Sequence, residues 1–160
     1  MYNFTFHVPT TIHFGKGQIS HLVDLAGYGK KALLCYGGGS IKRNGTYDQT
    51  TKILSDAGLE IFELSGVEPS PRIQTVRRGI EFCRKESIDM VLAIGDGSTI
   101  DCVKVVAAGA KYDGDAWDLV IHPELIKDAL PIFSALTLAA TGSEMDAFAV
   151  ISDMTKNEKW

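Results

Sequence analysis

Residues 89–101 read DMVLAIGDGSTID, and this stretch decides the fold. After Asp89 the residues to Ile94 form an apolar run of strand length. A turn of small residues, Gly95-Asp96-Gly97-Ser98, comes next, and a helix is predicted over residues 99–110. An apolar strand that enters a helix through a glycine turn is typical of a parallel sheet with helices on both faces.

The same unit occurs twice more. Residues 31–36 (KALLCY) predict a strand that enters the turn GGGS at 37–40, and residues 132–138 predict a strand before the turn AATGSE at 139–144. Helices are predicted over 47–57 and 73–85, and a strand over 59–64. We therefore predict an α/β, Rossmann-like, mostly parallel sheet flanked by helices. Its three glycine turns should share one edge, because parallel strands end on the same side.

The two ends of the chain are less regular. Residues 4–8 and 11–14 predict two strands of a short N-terminal β-hairpin, and residues 18–25 predict a helix. Residues 147–152 predict a last strand, followed by a polar tail, TKNEKW. No covering helix follows this strand, so we interpret residues 1–160 as one domain that ends early.

Composition excludes several classes of protein. The 16 Lys and Arg residues are outnumbered by 20 Asp and Glu, and this balance disfavours nucleic-acid binding. Apolar runs such as 90–94 are too short to cross a bilayer, and the N-terminus lacks a secretory signal pattern. We expect a cytoplasmic protein without a membrane partner, in which Cys35, Cys83 and Cys102 are buried, reduced thiols.

The glycine turns indicate a phosphate ligand. Glycine lets backbone N–H groups approach a phosphate, and the N-terminus of the following helix adds partial positive charge. Lys42 and Ile100 occupy the places of the third glycine in the Rossmann fingerprint, and no P-loop lysine follows either turn. Any one such turn could be purely structural, but three turns expected at the same edge of the sheet favour a dinucleotide or phosphate site. This site would be neither of the Rossmann-fingerprint kind nor of the P-loop kind.

Other polar residues allow two interpretations or indicate no site. Ser98 and Asp101 are spaced to cap the helix after Gly97, whereas Asp101 could instead accept a hydrogen bond from a nicotinamide. The four histidines show no metal-ligand spacing and suggest surface or structural roles, and Trp117 suggests a core helix. We predict no catalytic residue and no metal ligand in this sequence.

Five motifs together resemble the iron-containing (group III) alcohol dehydrogenases, and in particular their NADPH-dependent butanol dehydrogenase and aldehyde reductase branch. They cover the whole chain in the family's order: PTTIHFGKG (9–17), YGGGSIK (36–42), EPSP (68–71), IGDGSTID (94–101) and LTLAATGSEM (136–145).

The resemblance implies two domains with different binding functions. An N-terminal domain binds the dinucleotide, and an all-helical C-terminal domain binds Fe²⁺ or Zn²⁺ through one Asp and three His. The metal polarises the oxygen of a primary alcohol or aldehyde such as butanol, so that hydride can pass to or from the cofactor. By this resemblance we expect a homodimer that is catalytically incomplete without the helical domain. The cofactor-binding roles fall on Gly37, Gly38, Gly39, Ser40, Gly95, Asp96, Gly97, Ser98, Asp101, Thr137 and Thr141.

The resemblance also bears on the choice of cofactor. NAD-preferring members often carry an Asp after the first strand, whereas this turn has none and is followed by Lys42 and Arg43, so NADP(H) is favoured over NAD(H). Asp96 stands where the family usually has Gly, and Asp146 where it often has Asn. A carboxylate beside a pyrophosphate opposes binding unless it caps a helix or points outward.

Two alternatives stay open at this point. One is a related two-domain enzyme, such as a glycerol dehydrogenase or a dehydroquinate synthase, although the turn after Leu138 favours an alcohol dehydrogenase. The other is a non-catalytic nucleotide-binding module. The family resemblance also implies that the isolated chain exposes an apolar face where the helical domain would pack, and aggregation or a dimer through that face is the expected consequence.

Overall fold

The computed structural model describes Asn3, Thr5 and residues 7–160, and a parallel sheet lies at its centre. The sheet has four strands in the order β2-β1-β3-β4, and every neighbouring pair is parallel. The strands are β1 (Lys31–Tyr36), β2 (Glu60–Ser65), β3 (Met90–Gly95) and β4 (Ile132–Leu136). The predicted α/β class and the predicted row of parallel strands are thus confirmed.

Four of the five α-helices lie where the sequence predicts helices, with small differences in their bounds, whereas the short helix directly after the first glycine turn was not predicted. They are α1 (Ser40–Arg43), α2 (Thr46–Asp56), α3 (Ile73–Glu86), α4 (Gly97–Ala110) and α5 (Ala116–Ile121). The predicted helix after residue 17 is a 3-10 helix over Gln18–Gly27, and two shorter ones span Pro123–Leu125 and Ser143–Met145. Over the part of the chain that is described, no helix has the length and apolar character needed to cross a membrane.

Two apolar cores form because the central strands alternate their side chains between two covered faces. Leu33 and Val91 point into the core under α3 and α4, whereas Leu34 and Leu92 point into the core under α2 and the first 3-10 helix. All four side chains are fully buried. Helices on both faces explain why β1 and β3 are almost continuously apolar.

The expected roles of Trp117 and the cysteines agree with this packing. Trp117 is buried in the core under α4, and Cys35, Cys83 and Cys102 are free and buried. Burial raises the pKa of Cys83 and of Cys102 to about 12, so both thiols are protonated at neutral pH. Reactive cysteines need a lowered pKa and access to solvent, and these have neither.

The predicted N-terminal hairpin is not formed by the described residues. Residues 11–14 have no strand structure, and Phe4 and Phe6 of the other predicted strand lie outside the described residues. A strand requires a partner that supplies ladder hydrogen bonds. The described N-terminal residues contact the remainder of the structure through a side chain. Thr10 Oγ1 donates to the carbonyl oxygen of Glu144 at 3.3 Å.

The predicted last strand at 147–152 is also wrong in its bounds. The backbone N–H groups of Phe148 and Val150 donate to carboxylates rather than to a ladder, so those residues stay irregular. Short strands β5 (Ser152–Asp153) and β6 (Glu158–Lys159) follow, and they pair antiparallel. The polar tail therefore turns back as a hairpin, because the carboxylate of Asp153 accepts from the backbone N–H of Thr155 at 2.9 Å.

Candidate functional site

The three glycine turns meet at one edge of the sheet, as the parallel strands require. The first two turns and the two residues before the third, Thr137 and Leu138, line an open groove beyond the carboxyl ends of β1, β3 and β4, the usual place for a ligand in open parallel sheets. Of the predicted cofactor-binding residues, all but Gly97, Asp101 and Thr141 line this groove. Its lining consists of Gly37, Gly38, Gly39, Ser40, Ile41, Val67, Pro69, Ile94, Gly95, Asp96, Ser98, Thr99, Thr137 and Leu138.

The first turn needs glycine for two separate reasons. Gly39 has φ +89°, in the left-handed region that side chains disfavour, and it immediately precedes α1. A Cβ at Gly37 would lie 3.2 Å from the carbonyl oxygen of Val67, so the loop after β2 packs closely on this turn. The groove is thereby bounded by backbone rather than by side chains on this side.

The second and third turns are packed against each other. A Cβ on Gly97 would overlap Thr141 Oγ1, and the backbone N–H of Thr137 donates to the carbonyl oxygen of Gly95 at 2.8 Å. Gly97 and Thr141 therefore form the contact between the two turns. They do not line the groove, but their contact fixes the position of the two turns relative to each other.

Asp96 caps α4, which corrects the sequence-based assignment of Ser98 and Asp101 as capping residues. Its backbone is extended, and its carboxylate accepts from the N–H of Thr99 at 3.3 Å. Ser98 lies inside the helix, where its Oγ accepts from the N–H of Ser70 at 3.4 Å. The helix begins two residues earlier than predicted because Asp96 itself satisfies an amide of the first turn. Its carboxylate is thus engaged in capping, the condition under which we expected it to be compatible with a pyrophosphate.

Asp101 faces the third turn and the residues that follow it. Its Oδ1 accepts from Ser143 Oγ at 2.6 Å, and its Oδ2 accepts from the backbone N–H of Val150 at 3.1 Å. This replaces the predicted capping contact. A role for Asp101 at a nicotinamide stays a prediction.

Lys104 makes the largest set of contacts to the same segment, and sequence reasoning missed it. Its Nζ donates to Ser143 Oγ at 2.9 Å, to Asp146 Oδ1 at 2.8 Å and to the carbonyl oxygen of Phe148 at 2.6 Å. Only 15% of its side chain is exposed. The signal in the sequence was a lysine three residues after Asp101, in a part of α4 that is otherwise apolar from Cys102 onward. Asp146, the second departure from the family pattern, is thus a partner of Lys104.

A second cluster missed by sequence reasoning lies beside the first turn. Glu63 of β2 accepts from Tyr36 Oη at 2.5 Å and from Tyr47 Oη, and its Oε2 lies 3.8 Å from Lys42 Nζ. The ammonium group of Lys42 also lies 4.4 Å from the centroid of the Tyr47 ring. Contact with Tyr36 raises the pKa of Lys42, so its charge is stable at neutral pH. Lys42 is therefore charged but held towards Glu63, and it does not line the groove.

The described residues do not fit the metal centre that the resemblance implies. Their one group of three candidate ligands is His13, His21 and Asp24, all exposed. Their ligand atoms lie within 4.8 Å of one another, but the two imidazole rings stack with centroids 3.7 Å apart and planes 13° apart, so their lone pairs lie in nearly parallel planes. Among residues 7–160, no site of one Asp and three His is assembled.

Comparison with known proteins confirms the family that the sequence motifs resemble. The family model for iron-containing alcohol dehydrogenase matches residues 9–160. NADH-dependent butanol dehydrogenase A from Clostridium acetobutylicum is 57% identical over 160 residues, which are 99% of this chain and 41% of that protein. NADPH-dependent aldehyde reductase YqhD from Escherichia coli is 40% identical over 162 residues, which are 99% of this chain and 41% of that protein.

The fold is shared with solved structures of such proteins. The crystal structure of NADH-dependent butanol dehydrogenase A from Thermotoga maritima superposes with a TM-score of 0.94 at 47% identity, and it covers 100% of this chain. The matched part is 41% of that protein. The chain thus spans about 41% of the length of the relatives it matches.

Proposed function

Because the chain belongs to the iron-containing alcohol dehydrogenase family, we propose that it forms the nicotinamide-dinucleotide site of an oxidoreductase acting on primary alcohols or aldehydes such as butanol. The observation that carries the proposal is the groove where the glycine turns meet at the carboxyl ends of β1, β3 and β4. The names of the relatives support both the cofactor class and the substrate class.

The order of the strands suggests how a dinucleotide lies in this groove. The turn after β1 would hold the adenosine end, the turn after β3 the pyrophosphate, and the turn after β4 the nicotinamide. At the pyrophosphate, α4 offers the amides and partial positive charge of its N-terminus, and Gly95 and Gly97 keep side chains away. The bound nicotinamide supplies or accepts the hydride; the residues here bind and orient it.

The roles of individual residues follow from this placement. We propose that Gly37, Gly38, Gly39 and Ser40 bind the adenosine ribose, and that Gly95, Asp96 and Ser98 form the pyrophosphate cradle. Thr137 would contact the nicotinamide side directly. Gly97, Asp101 and Thr141 would act from behind the groove, by fixing the third turn against α4.

We propose that residues 1–160 are a dinucleotide-binding domain and that the family's metal is bound by residues outside them. The exposed group of His13, His21 and Asp24 has two histidines where the implied site has three, so no step of the reaction is assigned to it. Turnover of an alcohol would then require the helical domain that the family resemblance implies. A homodimer stays a prediction.

At the adenosine end we propose that NADP(H) is accepted alongside NAD(H). Support for the 2′-phosphate is the absence of an acidic side chain in the turn at 37–40. Support for NAD(H) comes from the name of the relative at 57% identity, NADH-dependent butanol dehydrogenase A. The preference for NADP(H) expected from Lys42 should be reduced, since Lys42 lies beside Glu63.

Replacement of Gly39 by Asp tests this arrangement. A carboxylate at that position would repel a 2′-phosphate, so G39D should weaken NADPH binding about ten-fold or more and affect NADH much less. The affinities of both nucleotides would be measured by calorimetric titration of the 160-residue chain. G45D is the matched control, because Gly45 also has positive φ and open space at its Cβ but does not line the groove. Equal losses for G39D and G45D, or no binding of either nucleotide to the unchanged chain, would overturn the proposal.

A further inference from the structure

Glu63 is held in a fixed position beside the first turn. It belongs to β2, the neighbour of β1, and its two carboxylate oxygens accept hydrogen bonds from Tyr36 at the end of β1 and from Tyr47 on α2. The two tyrosine rings pack edge to face with centroids 5.9 Å apart. Two donors from different elements therefore fix the place of this carboxylate, although 37% of the side chain is exposed.

Lys42 connects this carboxylate to the first turn. It lies in α1, and its backbone N–H donates to the carbonyl oxygen of Gly39 at 3.1 Å, so its main chain is bonded directly to the turn. Its ammonium group lies 3.8 Å from Glu63 Oε2 and 5.2 Å from the centroid of the Tyr36 ring. The side chain thus extends from the turn towards β2, with 49% of its surface exposed.

The charge of this pair bears on the adenosine end of a dinucleotide. A free lysine near the ribose attracts a 2′-phosphate, whereas a lysine beside a carboxylate contributes little net charge. In related dinucleotide folds an acidic residue of the second strand accepts from the ribose 2′-hydroxyl and opposes a phosphate there. Here Glu63 of the second strand lies beside Lys42, the basic residue that follows the turn.

On the basis of the proposed function, we infer that Glu63 is a specificity-determining residue that acts through Lys42. By holding the ammonium group beside β2, Glu63 lowers the affinity for NADP(H) relative to NAD(H). An acidic residue in the turn at 37–40 would favour NAD(H), and this turn has none. The action of Glu63 explains how NAD(H) can still be used, as the name of an NADH-dependent relative suggests.

The test is the ratio of the dissociation constants of NADH and NADPH in E63Q. Glutamine keeps one oxygen as the acceptor for one tyrosine hydroxyl, and its amide N–H can donate to the hydroxyl oxygen of the other. The substitution removes the charge, and the fold should persist, which thermal melting would check. The pair is half-exposed, so its release should raise the preference for NADPH about three-fold. NADH affinity should stay within the error of the titration.

The double variant K42M/E63Q separates action through Lys42 from direct repulsion of the phosphate by Glu63. The gain in NADPH preference should vanish in the double variant, because no ammonium group is left to be released. A ratio unchanged in E63Q would overturn the inference, and so would a gain of equal size in K42M/E63Q. In both cases the unchanged chain still binds the nucleotides, and the proposed function stands. If the unchanged chain binds neither nucleotide, the proposed function fails and this inference fails with it.

Discussion

The central strands and the segment after β4 are placed by different physical means. In β1 and β3, Leu33, Leu34, Val91 and Leu92 are completely buried, and apolar burial on both faces holds them. In residues 138–150, Leu138 is 61% exposed and Phe148 is 80% exposed, and polar contacts to α4 hold the segment instead. The groove needs both regions, since the strands carry two of its turns and the segment forms the third.

The two regions should differ most in how much free energy of unfolding is lost when an apolar side chain is removed. L92A removes a fully buried side chain from β3 and should lower the free energy of unfolding by about 3 kcal/mol, from lost burial and a residual cavity. Urea denaturation of the 160-residue chain measures this value. L138A, the matched change in the exposed segment, should cost less than about 0.5 kcal/mol. Similar costs for the two variants would contradict the comparison.

A smaller effect is expected from removing the polar anchor of the segment. K104M removes the ammonium group that donates to Ser143 Oγ, Asp146 Oδ1 and the carbonyl oxygen of Phe148. Asp146 then keeps only the backbone N–H of Phe148 as a donor, so residues 143–150 should be destabilised locally by about 1–2 kcal/mol. Hydrogen exchange should accelerate in that segment and stay unchanged in β1 and β3.

The control for this prediction is K52M, which removes an exposed lysine paired with Asp56 on α2. It should change stability by about 0.5 kcal/mol or less, because exposed pairs of this spacing are weak. Acceleration of exchange throughout the sheet in K104M would show that the segment and the strands do not respond separately.

The smallest effect concerns an ion pair within the packed part of the molecule. Asp115 accepts two hydrogen bonds from Arg77, and this contact lowers the pKa of its carboxyl below the ordinary 3.8. A lowered folded-state pKa stabilises the fold above the unfolded pKa, and this contribution is lost as the pH falls through the folded value. The pair is half-exposed, so the stability difference from D115N should be below about 1 kcal/mol at pH 7.

Urea denaturation of both proteins between pH 7 and pH 2.5 measures this dependence. The difference should be constant down to about pH 5 and should shrink below pH 4. D113N removes the same charge from the same loop and controls for net charge. A difference that grows on acidification would have the wrong sign for this pair.

Local patterns explain which parts of the fold were predictable. β1, β3, α3 and α4 were found because runs of apolar residues and their period depend only on neighbours in the chain. The strand predicted at 11–14 is not formed, and the strand predicted at 147–152 has the wrong bounds, because a short apolar stretch becomes a strand only if a partner strand is available. For residues 148 and 150, carboxylates of Asp146 and Asp101 take the backbone N–H groups.

The sequence by itself determined the α/β class, the order of the glycine turns and the family, because each is written in short contiguous stretches. Only the tertiary structure decided which side chains meet around the groove. Asp101 meets Ser143 across 42 positions and Tyr36 meets Glu63 across 27, and such pairs depend on how the sheet brings separate elements together. Many acidic and hydroxyl side chains could have formed these hydrogen bonds, and packing of the strands and helices selects the partners that lie within reach.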